Sequence, residues 1–444
     1  MAKVESDSIW RYLCKKVINK LNDFGDKSCL HGVGYVFSTT YIPFVTRLFW
    51  LLMLLLCGYG ASMVLVSVLT MFSAGAVSFS VETTYLDWDT PFPAVTVCES
   101  NKNVKNRIIK HLAEPAKTLN AKNITAQLKQ FYEDVGYWQS GFCAQCTKCT
   151  YNVTCVRDIQ ATVSDIRMTC DEIFEPQCWW GEEAFPCCDR FLPVETEYGT
   201  CFAFNSRLAR GALDVIKLNR HTGLKTLQFS ATQAILMRAH SPSDVVTTYS
   251  EMYSVPLDAN VTLVLKAEST VSDISVQAIP PELRGCFMSW EVPPAAEYWP
   301  FHRYKYDACI WYCRAMAQVQ LCNCTHHFEP KMVGVRTCDV DGLACLTIKK
   351  NHLDSTNFTC FCPMACDEVT YKVMHRFYNR GPKENLPSMN KVLLAELPTL
   401  RVRRHAIRDM LSFVVDIGGV GGVFFGASVL SILEIVYLFC IRRQ

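Results

Sequence analysis

Two stretches interrupt an otherwise mixed pattern of apolar and polar positions. The first, Leu48 to Val81, contains no charged residue. As one helix it would reach about 51 Å, more than a hydrocarbon layer roughly 30 Å thick requires. Its last residues are therefore expected to emerge on the far side, leaving a retained anchor helix over 44–74. The second run, Ser412 to Tyr437, is also long enough to cross a bilayer, yet it carries two carboxylates, Asp416 and Glu434, and five glycines. A passive anchor needs neither, because each charge at mid-membrane costs roughly 2.5–3.5 kcal/mol on insertion scales. An unbroken helix would set the two acids about 27 Å apart on one face. Gly418, Gly422 and Gly426 have the small-xxx-small spacing that lets backbones approach closely. Several copies around an axis would place acids at both mouths of a pore. The same glycine spacing also serves as a plain packing face between helices.

The block between these runs has a different chemistry. Of 24 cysteines, 20 fall between Cys98 and Cys366, and the rest (Cys14, Cys29, Cys57, Cys440) lie near or within the apolar runs. Glycosylation sequons occur at Asn123, Asn152, Asn260, Asn323 and Asn357, all inside that block. Dense cysteines together with glycan acceptors indicate an oxidising, secretory-pathway compartment. The C-x2-C-x2-C spacing of Cys143, Cys146 and Cys149 also suits zinc, but in such a compartment disulfides are expected and no metal. The ends of the chain carry basic residues, Lys3 to Arg47 before the first run and Arg442 and Arg443 after the second, as cytosolic flanks do. The arginines Arg401, Arg403, Arg404 and Arg408 pull the other way, but long translocated domains largely escape the charge rule. Both termini are therefore expected inside, with about 330 residues outside.

Length and a 50% apolar composition allow about three domains with a large core. The net charge of +2 gives no signature of nucleic-acid binding. No catalytic constellation is present, so no enzyme is expected.

Along the chain, Phe92 to Cys98 is β-prone, Asn101 to about Lys129 helical and charged, and Gly199 to Asn205 strand-like again. Further β-rich runs are expected at Thr226 to His240 and at Val261 to Lys266, the latter alternating poorly and reading as a buried strand. Cys309 and Cys313 fit adjacent turns of one helix, roughly Tyr304 to Gln320, and Cys360 and Cys362 an extended segment opposite it. The charged, proline-broken stretch Gly381 to Pro398 reads as a connector to the second apolar run.

Several motifs in one order resemble the degenerin/epithelial sodium channel family, most of all its insect pickpocket branch. They are His31-Gly32, Phe92 to Cys98, Gly199 to Asn205, His240-Ser241-Pro242, the ten cysteines from Cys286 to Cys366, Asp416-Ile417-Gly418-Gly419 and Gly426-Ala427-Ser428. The resemblance implies a membrane α+β protein, with two transmembrane helices flanking a large disulfide-rich extracellular domain. That domain would have a clenched-hand architecture of palm, finger, knuckle and thumb, and the whole would be trimeric. Its parts would be a cytosolic 1–43, a first helix 44–74 and an extracellular 75–404, with finger insertions in 100–200 and the thumb at 286–366. A pore-lining helix 405–441 and a short cytosolic tail 442–444 would follow.

By position, the resemblance implies the disulfides Cys98–Cys201, Cys286–Cys366, Cys309–Cys362, Cys313–Cys360, Cys322–Cys345 and Cys324–Cys338, with the finger pairing open. Gly426, Ala427 and Ser428 would form the selectivity filter, with a break in the helix there. Asp416 would lie at the outer mouth and Glu434 below the filter. His31 and Gly32 would be a cytosolic gating motif, and Val415 would stand where bulk holds the pore open. The implied function is a sodium-preferring, amiloride-sensitive cation channel of the plasma membrane, gated by an extracellular ligand or other stimulus. It would be a homo- or heterotrimer in the lipid bilayer, with Na+ as permeant ion and no cofactor. The alternative is a non-conducting two-helix cell-surface receptor or auxiliary subunit. Acids Glu182, Glu183, Asp339 and Asp341 are candidates for the paired carboxylates of acid-sensing relatives, although such clusters are usually solvated surface.

Overall fold

The structure is a computed structural model and describes residues 22, 24–26, 30–38, 41–75, 77–84, 87–100, 107–108, 122–138, 141–148, 159–294, 296–355, 361–380 and 388–437. The helices that position the functional residues are α1 (Val33–Phe37), α2 (Phe44–Ser73), α3 (Lys122–Tyr137), α4 (Tyr306–Cys322), α5 (Val340–Ile348), α6 (Met410–Phe425) and α7 (Val429–Val436). The main strands are β1 (Val77–Glu82), β2 (Ala94–Glu99), β3 (Gln177–Trp180), β4 (Glu183–Pro186), β5 (Phe191–Thr196), β6 (Gly199–Phe204), β7 (Thr226–Ala231), β8 (Ile235–His240), β9 (Tyr253–Val255), β10 (Ala259–Ser272), β11 (Glu368–Arg380), β12 (Ser388–Leu394) and β13 (Arg401–Ala406).

The chain divides into two compact units. The first holds the described residues of Met1–Ser78, Asp273–Arg284 and His405–Gln444, and the second those of Phe79–Ser272 and Gly285–Arg404.

In the first unit, α2 is the one helix among the described residues long and apolar enough to cross a membrane. Its 30 residues span about 45 Å. Ala61 is its only buried residue, while Leu51, Leu52, Leu55, Leu56 and Val66 point outward, a surface suited to lipid rather than water. Just past the helix end lies Gly75, whose φ of +56° is left-handed and whose Cβ would lie 2.9 Å from Ile279 Cγ2. Only glycine fits both conditions. Helix α6 runs antiparallel to α2: Phe72 stacks on Phe413 with ring centroids 4.4 Å apart, and near the other end of α6 the Phe424 ring closes over Gly60.

The second apolar run is not one helix. It breaks between Phe425 and Val429, so the single-face alignment of Asp416 and Glu434 that an unbroken helix would give is absent.

The second unit is built on two sheets. The larger runs β1-β13-β10-β12-β7-β3-β4, with β11 on the free side of β10, and the smaller runs β9-β8-β2-β6-β5. A single apolar core fills the space between them, drawing Val95 and Val97 from β2, Phe202 and Phe204 from β6, Leu227 and Phe229 from β7, and Val261, Leu263 and Leu265 from β10. Aromatic rings dominate it, with Phe174, Phe191, Phe204 and Phe229 in mutual stacked and edge contacts.

Four expectations change here. The run Thr226 to His240 forms two strands, β7 and β8, that belong to different sheets. Strand β10 extends over fourteen residues and does alternate, with Ala259, Val261, Leu263, Leu265 and Ala267 buried on its inner face. Residues 388–394, expected in a connector, form β12, a central strand parallel to β10 and antiparallel to β7. Val392 and Leu394 fill the core from it, so tertiary pairing overrides the charged, proline-flanked local composition. The helix expected over Tyr304 to Gln320 runs from Tyr306 to Cys322, shifted two residues along the chain at both ends.

Candidate functional site

The site is the interruption between α6 and α7. Helix α6 starts with Asp409 as its N-cap, the carboxylate accepting the Ser412 N–H at 2.7 Å. It ends at Gly426, in the left-handed region at φ +65°, the conformation that closes helices at little cost only for glycine. The Gly426 N–H donates to the Gly422 carbonyl at 2.9 Å and the Ala427 N–H to that of Gly421 at 3.1 Å, which satisfies carbonyls of the last turn. Ser428 is extended, at φ −115° and ψ 171°, and caps α7. Gly426, Ala427 and Ser428 thus form a three-residue non-helical link between two helix ends. Such a link frees backbone carbonyls in an otherwise apolar segment, the groups that replace an ion's hydration shell in narrow pores.

His31 and Gly32 come to the same place. The His31 N–H donates to the Phe425 carbonyl at 3.1 Å, and its imidazole fills the space a Cβ on Gly426 would need. Gly32, at φ +85°, faces Leu54 and Trp50 of α2, and Tyr35 of α1 stacks on Trp50 at 4.9 Å. The amino-terminal segment therefore lies against both α2 and the break.

The acids sit on either side of the break. Asp416 Oδ2 lies 3.0 Å from Arg408 Nη1, so its charge is countered by a residue just ahead of α6. Val415 beside it is 62% exposed. Glu434 lies on α7 and is half-buried. Of the expected pore residues, the structure brings His31, Gly32 and Gly426 together, while Asp416 and Glu434 occupy separate helices.

In the second unit, disulfides join Cys98–Cys201, Cys286–Cys366, Cys309–Cys362, Cys322–Cys345 and Cys324–Cys338. Cys313 is also disulfide-bonded, and Cys360, the partner expected for it, lies outside the described residues. Among the finger cysteines, Cys143–Cys146, Cys170–Cys188 and Cys178–Cys187 are bonded. Asn260 and Asn323 are exposed. Asn152, Asn357 and the side chain of Asn123 lie outside the described residues.

His240 is buried, with Nδ1 2.8 Å from the Ser241 carbonyl and Nε2 2.7 Å from Thr96 Oγ1. The carbonyl can only accept, so Nδ1 carries the proton and Nε2 receives the Thr96 hydroxyl. Burial lowers its pKa to about 4. Glu82 is held down to about 2 by hydrogen bonds from Arg401 and Arg403, which tie β1 to β13. Burial pushes Asp244 up to about 6 despite Lys305 at 3.5 Å. Of the candidate acid-sensing carboxylates, Asp339 is the N-cap of α5, accepting the Gly342 N–H at 2.9 Å, and Glu183 lies 3.9 Å from Arg190.

Two contributors went unread in the sequence: Ser431, which hydrogen-bonds Ser428, and Arg408, which pairs with Asp416. The first had a signal, since Ser428-x-x-Ser431 has the spacing of an N-terminal helix cap.

Comparisons with known proteins follow the same lines. The family described as amiloride-sensitive sodium channel matches residues 24–438. Sodium channel protein Nach of Drosophila ananassae is 24% identical over 470 residues, covering 95% of this chain and 86% of that protein. Pickpocket protein 11 of Drosophila melanogaster is 20% identical over 283 residues, 60% of this chain and 54% of the relative. The bile acid-sensitive ion channel of Homo sapiens is 24% identical over 294 residues, 57% of this chain and 55% of the relative.

Proposed function

The chain belongs to the amiloride-sensitive sodium channel family, and from that premise we propose that it is a pickpocket-like, pore-forming subunit of a sodium-preferring cation channel. Three subunits, identical or mixed, would converge at Gly426, Ala427 and Ser428. Their small side chains let backbones meet, and their carbonyls would take the place of water around the ion. Asp416 and Glu434 would concentrate cations on the two approaches by Coulomb attraction. The chain would cross the plasma membrane twice, with both termini cytosolic and the disulfide-rich unit outside, open to an extracellular ligand and to block by amiloride. His31 and Gly32 would couple the cytosolic segment to the gate.

The observation that carries this reading is the break at Gly426. A helix that only anchors or packs gains nothing from breaking its regular hydrogen-bond ladder at a left-handed glycine in lipid, where unsatisfied backbone groups are expensive. The test is voltage-clamp recording from cells expressing the full chain, with Na+ replaced by K+ and with surface labelling in parallel. Bulk at Gly426 or charge reversal at Glu434 should abolish current or shift the reversal potential while surface protein persists. Silence to acid, alkali, peptides and stretch, with protein at the surface, would favour the non-conducting auxiliary subunit, and current restored by a co-expressed relative would then return the pore to a mixed trimer.

A further inference from the structure

We propose that Ser431 is a positioning residue for the constriction, holding Ser428 in the extended conformation that keeps α6 and α7 apart. This rests on the reading of Gly426–Ser428 as the filter. The two serines bond reciprocally: the Ser428 N–H donates to Ser431 Oγ at 3.1 Å, the Ser431 N–H donates to Ser428 Oγ at 3.3 Å, and the two hydroxyls lie 3.2 Å apart. Ser431 is 7% exposed on a helix whose neighbours Val429 and Leu430 are each 75% exposed. A hydroxyl at that position is retained for its bonds, since a buried polar group costs stability unless it is paired.

Two consequences follow for ion selection. Without the Ser431 hydroxyl, the Ser428 N–H would lose its acceptor in an apolar setting, and the link would shift to recover one. In addition, the Ser428 hydroxyl is committed to the cap. The groups left to face an ion are then backbone carbonyls of the link, and Ser428 acts through its conformation rather than its side chain. Each substitution removes one of the two backbone-to-hydroxyl bonds together with the contact between the hydroxyls, so the two losses overlap only in that shared contact.

The test uses the full chain with Ser431→Ala, Ser431→Thr, Ser428→Ala and the double alanine variant. Reversal potentials are read in cells, and amide exchange at residue 428 in purified protein in lipid nanodiscs. Loss of one hydrogen bond corresponds to roughly a 10-fold change in an equilibrium, so Ser431→Ala should accelerate exchange at residue 428 about 10-fold. It should also lower the Na+/K+ permeability ratio several-fold, with surface protein unchanged. Ser431→Thr, which keeps the hydroxyl, should restore both, while Ser428→Ala, which leaves its own N–H on Ser431 Oγ, should change exchange at residue 428 little, and the double variant should match Ser431→Ala there. If Ser431→Ala changes neither exchange nor selectivity while bulk at Gly426 still abolishes current, the proposal is overturned and the filter reading stands. If exchange accelerates but bulk at Gly426 leaves current and selectivity intact, the cap exists without a filter to position, and the proposal falls with the reading beneath it.

Discussion

The backbone N–H of His31 ends on the carbonyl of Phe425, 3.1 Å away. Phe425 is the last residue of α6, where helical carbonyls have no partner within their own helix. A segment from the opposite end of the chain thus completes the helix at the point where the pore would narrow. Any movement of that segment would change what holds the Phe425 carbonyl, so under the proposed function it would bear directly on the constriction.

Gly426→Ala tests that contact. A left-handed alanine costs about 1–2 kcal/mol, and its Cβ would also overlap the His31 ring. Current normalised to surface protein should fall at least about 10-fold, as 1.4 kcal/mol implies. Adding His31→Ala removes the overlap but not the backbone strain, so it should recover part of the loss. Strictly additive losses in the four-variant cycle would show that the two residues do not touch.

Arg408→Gln should raise inward current. The Arg408–Asp416 pair, with side chains 40% and 26% exposed, places a positive charge beside the acid proposed for the outer mouth. Removing it should increase unitary inward current by roughly 1.5–3-fold at low ionic strength, and the gain should fade near 1 M salt, where the Debye length is about 3 Å. In an Asp416→Asn background the substitution should do much less. A gain that persists at high salt would point to a change in gating rather than in the local field.

The features that could be read from the sequence are those with local causes. The uncharged run in α2, the cysteine block and the sequons each follow from residues close together in the chain. The break at Gly426 was expected through resemblance alone, although Asp409-x-x-Ser412 and Ser428-x-x-Ser431 mark two helix starts in a segment that hydropathy reads as one. Strand β12 was missed because prolines and charges flank it, and only its position between β10 and β7 makes it a core strand. The division of Thr226 to His240 was missed for a related reason: no glycine or proline interrupts Thr232 to Ala234, yet there the chain passes from one sheet to the other. Arg408 and Asp416 are separated by a capped turn, so no helical spacing announces their pairing.

Gly342→Ala should impair folding rather than gating. A Cβ at this position would lie 2.6 Å from Cys324 Sγ and 2.8 Å from Cys338 Cβ, atoms held in place by the Cys324–Cys338 disulfide. Overpacking of this kind costs typically 1–3 kcal/mol, and a disulfide leaves little room to relax. The amount of mature glycoprotein at the surface should drop several-fold, while channels that do arrive should have normal reversal potentials. Normal surface levels would mean that α5 can move away from the bridge.

Acid should destabilise the disulfide-rich unit through two buried histidines. His240 is held to about 4 and His327 to about 3, in both cases mainly by burial, against an ordinary value of 6.5. Arg238 opposes protonation of His240, and His326 and Arg167 oppose that of His327, whose Nε2 bonds the Val135 carbonyl at 2.8 Å. A lowered histidine contributes stability that is complete above pH 6.5 and is lost as pH falls toward the folded value, because only the unfolded chain takes up the proton. The loss therefore begins near pH 6.5 and runs to about 4 for His240 and 3 for His327, on the order of a few kcal/mol each. Asp244, raised to about 6, works in the opposite sense, adding stability as pH falls from 6 toward its ordinary 3.8, and Asp307 and Glu368, also raised mainly by burial, do the same, so the acids offset part of the histidine effect. Melting temperatures of the full chain in nanodiscs should decline from pH 7 to pH 4, and His240→Gln should flatten that decline. An unchanged slope in His240→Gln would mean that His240 gains its proton at an ordinary pH in the folded protein, and that its bond from Thr96 does not hold it neutral.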